Sequence, residues 1–217
     1  MDFQAIRKEY EDAGIEPDRM DAVPMVQFES WLDEATNCCP EKWFETNAMT
    51  LATADATGKV SARVVLLKGI LPEGIRFFTN YDSAKGKQLA ANPNASVVFH
   101  WPYVGRQVRI SGQVEKTSRT VSEEYFHSRP RDSQVSAAVS TQSKSVASRA
   151  ELEHLIADFK QQIGDNTVPL PENWGGYLLK PEEFEFWQGR SNRLHDRVLY
   201  QLENAQTTQW AKSRLAP

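Results

Sequence analysis

At 217 residues, with 40% hydrophobic and 25% charged residues, the chain is long enough to bury the core of one domain with at most appended helices. A net charge of −4 argues against nucleic acid or an anionic membrane as the main partner, since both need a basic field. The two cysteines, Cys38 and Cys39, are adjacent, which allows neither a disulfide framework nor a C-x-x-C motif and fits a reducing cytoplasm; no apolar run approaches the roughly 20 residues that span a bilayer.

Residues 1–22 are polar and charged, with Ile6 and Tyr10 at i, i+4, and read as a short helix or arm ahead of a single domain over 23–217. Met25, Phe28, Trp31 and Leu32 recur at helical spacing, and the stop signals from Asn37 to Pro40 end that first helix. From Ala48 to Lys116 the chain changes to short runs rich in Val, Ile, Thr and Phe. Turn sequences at Asp55 to Gly58, Leu71 to Gly74 and Pro102 to Gly105 separate them. These runs predict antiparallel strands near 48–54, 59–68, 75–79, 96–101 and 107–116, with one helix from Ser83 to Asn92 that Pro93 closes.

Two short helices follow, Val121 to His127 and Pro130 to Ser140, with Pro130 at the first helical position of the second. Ser148 and Glu151 form a capping box for a helix whose Leu152, Leu155, Ile156, Phe159 and Ile163 line one face before Gly164 closes it. After a Pro/Gly loop over 168–176, further strands are expected at 177–179, 183–188, 193–201 and 208–214. The fold class is therefore α+β: mainly antiparallel β, with so many short, turn-linked strands that a barrel is favoured, and with flanking helices.

Arg63 and Lys68 end an aliphatic strand, Val64-Val65-Leu66-Leu67, and an odd separation puts them on opposite faces unless a bulge intervenes. They serve either two ligands or only as the snorkelling ends of a buried strand. Phe78 and Thr79 lead from a strand end to a helix start with Lys85 in its first turn, a place suited to a phosphate, although an exposed surface lysine has the same sequence signature. Tyr125, Arg129 and Ser133 stand at i, i+4 and i+8, and the break before Pro130 sets Arg129 at a helix start, where a phenol, a guanidinium and free N–H groups can converge on one dianion. The alternative pairs Arg129 and Arg131 with Glu123 and Asp132. Gln107 shares a strand face with Arg109 and Ser111, and Gln142 and Ser143 sit in a polar loop; such groups suit the polar edge of a heterocycle or ordinary loop hydrogen bonds equally well.

The densest cluster is Trp187 followed by Arg193-Leu194-His195-Asp196-Arg197. A regular strand here would place Arg193, His195 and Arg197 on one face, where like charges need an anion, with Asp196 on the other. Neither a Gly-rich nucleotide loop nor a nucleophile elbow occurs, and His100, His127, His154 and His195 show no metal-ligand spacing.

In order and spacing, the segments Arg63 to Lys68, Phe77 to Asn80, Tyr125 to Ser133, Trp174 to Gly176, Glu185 to Gly189, Arg193 to Arg197 and Arg214 to Pro217 resemble the pyridoxine (pyridoxamine) 5′-phosphate oxidase family. The resemblance implies an FMN-binding split barrel, a homodimer with its sites at the interface, and oxidation of pyridoxine or pyridoxamine 5′-phosphate by O2 to pyridoxal 5′-phosphate with release of H2O2. It places Arg63, Val64, Val65, Leu66, Leu67, Lys68, Phe78, Thr79, Lys85, Gln107, Gln142, Ser143, Trp187 and Arg197 against FMN. Lys68, Tyr125, Arg129 and Ser133 would hold the substrate phosphate, with Arg193 and His195 over the pyridine ring as catalytic groups and Arg7 and Tyr10 as a looser match to a substrate-covering segment. Two positions depart from the family: Phe78, where tyrosine is common and a backbone contact is expected, and Ala84, where an arginine often precedes the lysine. The alternatives are another split-barrel flavoenzyme, such as a flavin reductase or phenazine-pathway oxidase, and a non-catalytic carrier of FMN or pyridoxal phosphate.

Overall fold

The computed structural model describes residues 14–204 and 208–217. Among these residues five α-helices and nine strands follow in the order α1 (Pro24–Asn37), β1 (Ala48–Ala54), β2 (Val60–Leu66), β3 (Gly69–Leu71), β4 (Gly74–Asn80), α2 (Ala84–Ala91), β5 (Asn94–Trp101), β6 (Arg106–Lys116), α3 (Arg119–Ser128), α4 (Arg131–Val139), α5 (Arg149–Ile163), β7 (Trp174–Gln188), β8 (Asp196–Asn204) and β9 (Gln209–Leu215). All strand pairings are antiparallel, and the sheet runs β2-β1-β5-β6-β7-β4-β3, with β8 added to β7 and β9 to β8.

Alternation along the strands builds the core. Val108 and Ile110 of β6, Phe184 and Phe186 of β7, and Val198 and Tyr200 of β8 are fully buried on one face. Helix α1 covers this face: Phe28 meets Phe99 with ring centroids 4.9 Å apart, and Trp31 meets Phe186 edge-on at 5.2 Å. A second cluster, Phe126, Val135, Val168 and Trp174, seats α3 and α4 against the start of β7. Residues 14–22 lie along β8 and β9, where Lys212 Nζ donates to the Met20 carbonyl at 2.9 Å and the Tyr200 hydroxyl to that of Asp21 at 2.8 Å.

Three expectations are corrected. The strands expected at 177–179 and 183–188 are one 15-residue strand, β7, which starts at Trp174 inside the expected loop and continues through Pro181 opposite a register shift at Ser111/Gly112. Pro130 is the N-cap of α4 rather than its first residue. Arg193 and His195 precede β8: Ser191–Arg193 is a 3₁₀ turn in which Asn192 and Arg193 both have positive φ, 53° and 60°, so the cations at 193, 195 and 197 do not share the face of a regular strand. A short β3, absent from the expected elements, pairs with β4.

Candidate active site

Strand β2 ends at Leu66, and the chain then turns: Leu67 N–H donates to the Asn47 carbonyl at 2.9 Å and Lys68 N–H to that of Arg76 at 2.8 Å. The parity argument therefore stops before Lys68. Arg63 and Lys68 line one cavity of about 330 Å³ together with Val64, Val65, Leu66, Phe78, Thr79, Lys85, Tyr125, Arg129, Gln142 and Trp174. Among the described residues, four cations and no carboxylate line this space. Leu67 is buried in the core, and Ser143, exposed with φ 71°, and Ser133, one turn into α4, lie outside the lining.

At one end, Arg63 donates to Thr53 Oγ1 at 2.6 Å, Ser61 Oγ at 2.7 Å and the Leu51 carbonyl at 3.2 Å, all neutral acceptors. Lys85 Nζ donates to Gln142 Oε1 at 2.7 Å and Thr79 Oγ1 at 3.0 Å. Burial, and then the nearby Arg63 charge, push the Lys85 ammonium down to about 8. Ser83 caps α2 by accepting from Gly86 N–H at 3.2 Å, so the positive end of this helix adjoins Lys85. Gly86 is obligatory, since a Cβ there would overlap the Tyr81 carbonyl.

At the other end, Phe78, Tyr125 and Trp174 form three near-parallel rings, with Phe78 and Tyr125 3.9 Å apart and Phe78 and Trp174 5.6 Å apart. The Phe78 side chain, not only its backbone, therefore faces the cavity. The Arg129 guanidinium lies 4.9 Å from the Trp174 ring centroid, and its buried Nη1 has no hydrogen-bond partner among the described residues. Burial lowers the Arg129 pKa and raises that of Tyr125, which keeps the phenol a donor. Glycines make this approach possible: a Cβ at Gly176 would stand 2.9 Å from the Phe78 ring, and one at Gly175 would overlap the Tyr81 hydroxyl.

The remaining expected site residues gather elsewhere. Gln107 pairs with Trp187 across β6 and β7, and Trp187 with Arg197 across β7 and β8. The His195 ring lies 4.7 Å from that of Trp187. None of these lines the cationic cavity, and Trp174 and Trp187 are separated by roughly 40 Å of strand path along β7 at ~3.3 Å per residue. Sequence reasoning missed Glu185, whose buried carboxylate holds Arg197 at 2.9 Å and Arg109 at 2.8 Å. Its signal was available: an acidic residue in phase with Trp187 and set between Phe184 and Phe186. Arg7 and Tyr10 lie outside the described residues.

A family model described as pyridoxamine 5′-phosphate oxidase matches residues 39–163, and one described as pyridoxine 5′-phosphate oxidase C-terminal dimerisation region matches residues 174–217. The chain belongs to the pyridoxamine 5′-phosphate oxidase family. It is 50% identical over 213 residues to a pyridoxine/pyridoxamine 5′-phosphate oxidase of Rhodopirellula baltica, covering 98% of this chain and 95% of that protein. The corresponding protein of Pseudomonas syringae pv. tomato is 48% identical over 212 residues, with 98% and 97% covered. Among solved structures, PhzG from Burkholderia lata in complex with tetrahydrophenazine-1-carboxylic acid superposes with a TM-score of 0.87 at 28% identity, covering 97% of this chain and all of that one. An FMN-binding protein of Nostoc punctiforme related to pyridoxamine 5′-phosphate oxidase shares the fold, with a TM-score of 0.71 at 17% identity over 91% of this chain and all of that one. The family is one of oxidoreductases with a split-barrel fold, and this chain has that fold. Among the described residues no helix is long and apolar enough to cross a membrane.

Proposed function

We propose that the protein binds FMN and oxidises pyridoxine 5′-phosphate or pyridoxamine 5′-phosphate with O2, giving pyridoxal 5′-phosphate, H2O2 and, from the amine, ammonia. The observation that carries this reading is the carboxylate-free cavity with four cations. Two phosphate monoesters, each carrying about −1.5 to −2 at neutral pH, match four positive charges, and this reaction brings two such groups together, one on the cofactor and one on the substrate.

The two ends of the cavity divide the work. Arg63, Thr79, Lys85 and the start of α2, with Gln142 and Ser143 on the facing loop, form the FMN phosphate end, flanked by the backbone from Val64 to Leu67. Lys68, Tyr125 and Arg129, with Ser133 completing the set, hold the substrate phosphate; the unpartnered Arg129 Nη1 is a donor waiting for an acceptor. When bound, FMN supplies the hydride acceptor for the substrate C4′ carbon, and O2 is the terminal oxidant. Anchoring the remote phosphate orients C4′ and so lowers the entropy cost of that step.

Arg193 and His195 meet the reacting end of the substrate. Arg190 N–H donates to His195 Nδ1 at 3.1 Å, so the neutral ring carries its proton on Nε2 and offers a hydrogen-bond donor there. This favours a positioning and charge-stabilising role for His195 over proton abstraction at Nδ1. Because Gln107, Trp187, Arg193, His195 and Arg197 do not line the cavity of their own chain, we assign them to the cavity of a second copy in a homodimer. The exposed apolar side chains of Trp43, Val60 and Val64 and the match of residues 174–217 to a dimerisation region support that assembly.

The test is to load the protein with FMN, add pyridoxine 5′-phosphate in air, and assay pyridoxal 5′-phosphate and H2O2 together. Equal yields of both are expected. Failure to retain FMN sinks the flavin reading, whereas FMN retention without turnover points to a carrier. Turnover only of a reduced nicotinamide or a dihydrophenazine points to the other split-barrel enzymes.

A further inference from the structure

Among the described residues, Glu185 is the only carboxylate with a buried side chain, at 5% exposure. It stands near the C-terminal end of β7 on the face opposite the apolar core. Register places Arg109 directly across from it on β6, and Arg197, which faces Trp187, one diagonal step away on β8. Gln107, Arg109, Glu185, Trp187 and Arg197 thus share one face of three adjacent strands.

Each Glu185 oxygen serves a different guanidinium: Oε2 accepts from Arg109 Nη1 at 2.8 Å, and Oε1 from Arg197 Nε at 2.9 Å. Arg197 Nη1 donates to the Ala216 carbonyl at 2.8 Å, and Nη2 makes no hydrogen bond within the described residues. Two arginines and one carboxylate leave the group with a single positive charge. A lone Glu185–Arg197 pair would be neutral, and Glu185 would be able to take Arg197 with both oxygens; Arg109 occupies the second oxygen. A buried ion pair is a weak source of stability, since desolvation offsets most of the attraction, so fold stability alone is a poor reason for this arrangement.

We infer that Glu185 and Arg109, which face away from the core beside Trp187, are positioning residues for the flavin: they fix the Arg197 guanidinium with Nη2 outward and keep one net positive charge on the group. This rests on the FMN reading above. Glu185 orients Arg197 through Nε, and Arg109 keeps Glu185 from neutralising it.

The experiment is titration of apoprotein with FMN, read by flavin fluorescence quenching, for the wild type, Glu185→Gln and Arg109→Met. Both variants are expected to weaken FMN binding about tenfold, the worth of roughly one charge-assisted hydrogen bond. The sign for Glu185→Gln is diagnostic: removing a carboxylate makes the site more positive, so a role through net charge alone predicts tighter binding, whereas positioning predicts weaker binding. At saturating FMN the visible circular dichroism of the flavin should change in both variants, which a purely structural role would not produce. Wild-type affinity in both variants, or tighter binding by Glu185→Gln, overturns the inference. Should Glu185→Gln fail to fold, Arg109→Met decides, because the Arg109 side chain is 42% exposed. No FMN binding by the wild type overturns the functional reading itself and this inference with it.

Discussion

The molecule has two cationic regions with opposite designs. In the cavity between β2, β4 and α3, Arg63, Lys68, Lys85 and Arg129 face one another across neutral acceptors, with no carboxylate among the described lining residues. At the far end of β7, Arg197 is interleaved with Glu185, and the neighbouring Arg190 and Arg214 share Asp196 at 3.7 and 2.5 Å. Unopposed cations are costly until an anion arrives, which suits a region that grips phosphate. Paired cations are held in place whether or not a ligand is present, which suits a region that sets the orientation of a flat ring.

Mixing separates the two regions most sharply. If one chain's cavity is completed by the other chain's Arg193 and His195, then Arg129→Ala and Arg193→Ala, each strongly impaired alone when assayed at substrate well below the KM of Arg129→Ala, restore activity when co-refolded. Half of the dimers are then mixed and one of the two sites in each is intact, so recovery from background to about a quarter of wild type is expected by dimer symmetry. No recovery, with mixed dimers shown to form, would mean that each site is built within one chain. Arg129→Ala by itself should raise KM for the phosphorylated substrate about 100-fold, two charge-assisted hydrogen bonds' worth, with little change in melting temperature, because among the described residues the buried Nη1 has no hydrogen-bond partner to lose and only the contact with the Trp174 ring goes. A lower melting temperature with unchanged KM would assign Arg129 to the fold instead.

Lys85 gives a smaller, pH-dependent effect. Its ammonium is held at about 8, below the usual lysine value, by burial and by Arg63. Between about 8 and 10.5 the unfolded chain holds this proton and the folded apoprotein does not, so the lysine's contribution to apoprotein stability rises with pH through that window. Phosphate binding runs the other way, since only the protonated form pairs with the anion. FMN affinity should therefore fall by up to about tenfold per pH unit above 8, and Lys85→Met should flatten the profile. Titrations at pH 7 and 9.5 decide it; parallel losses in wild type and variant would place the titrating group elsewhere.

Much of this was legible in the chain because period-2 alternation and turn sequences dictate strands strongly: β1 runs over the expected residues, and β4, β5 and β6 lie within two residues of theirs. The lapses have local causes. Pro181 and the bend opposite Ser111/Gly112 made one long strand read as two, since a proline in a strand ordinarily marks an end. The Arg193 to Arg197 segment looked like a strand by composition, but two consecutive left-handed residues, neither a glycine, divert the backbone before Asp196. The pairing of Glu185 with Arg197 depends on a diagonal register between β7 and β8, which no local pattern encodes.

The smallest effect concerns Ala84, an exposed alanine at the first position of α2, where the family resemblance implies an arginine. Arginine here has two opposed consequences. A cation in the first turn opposes the helix dipole by about 0.3–1 kcal/mol and should slightly lower the apoprotein melting temperature. The same charge stands beside Lys85 and adds a donor where the FMN phosphate is proposed to sit, which should tighten binding several-fold, less than a full buried charge-assisted bond because the side chain would remain largely solvated. The two effects are read separately, one by melting without FMN and the other by the FMN dissociation constant. If Ala84→Arg lowers the melting temperature but leaves FMN affinity unchanged, the start of α2 is not the phosphate end of the cavity, and the contrast between its two ends must be redrawn around Arg129.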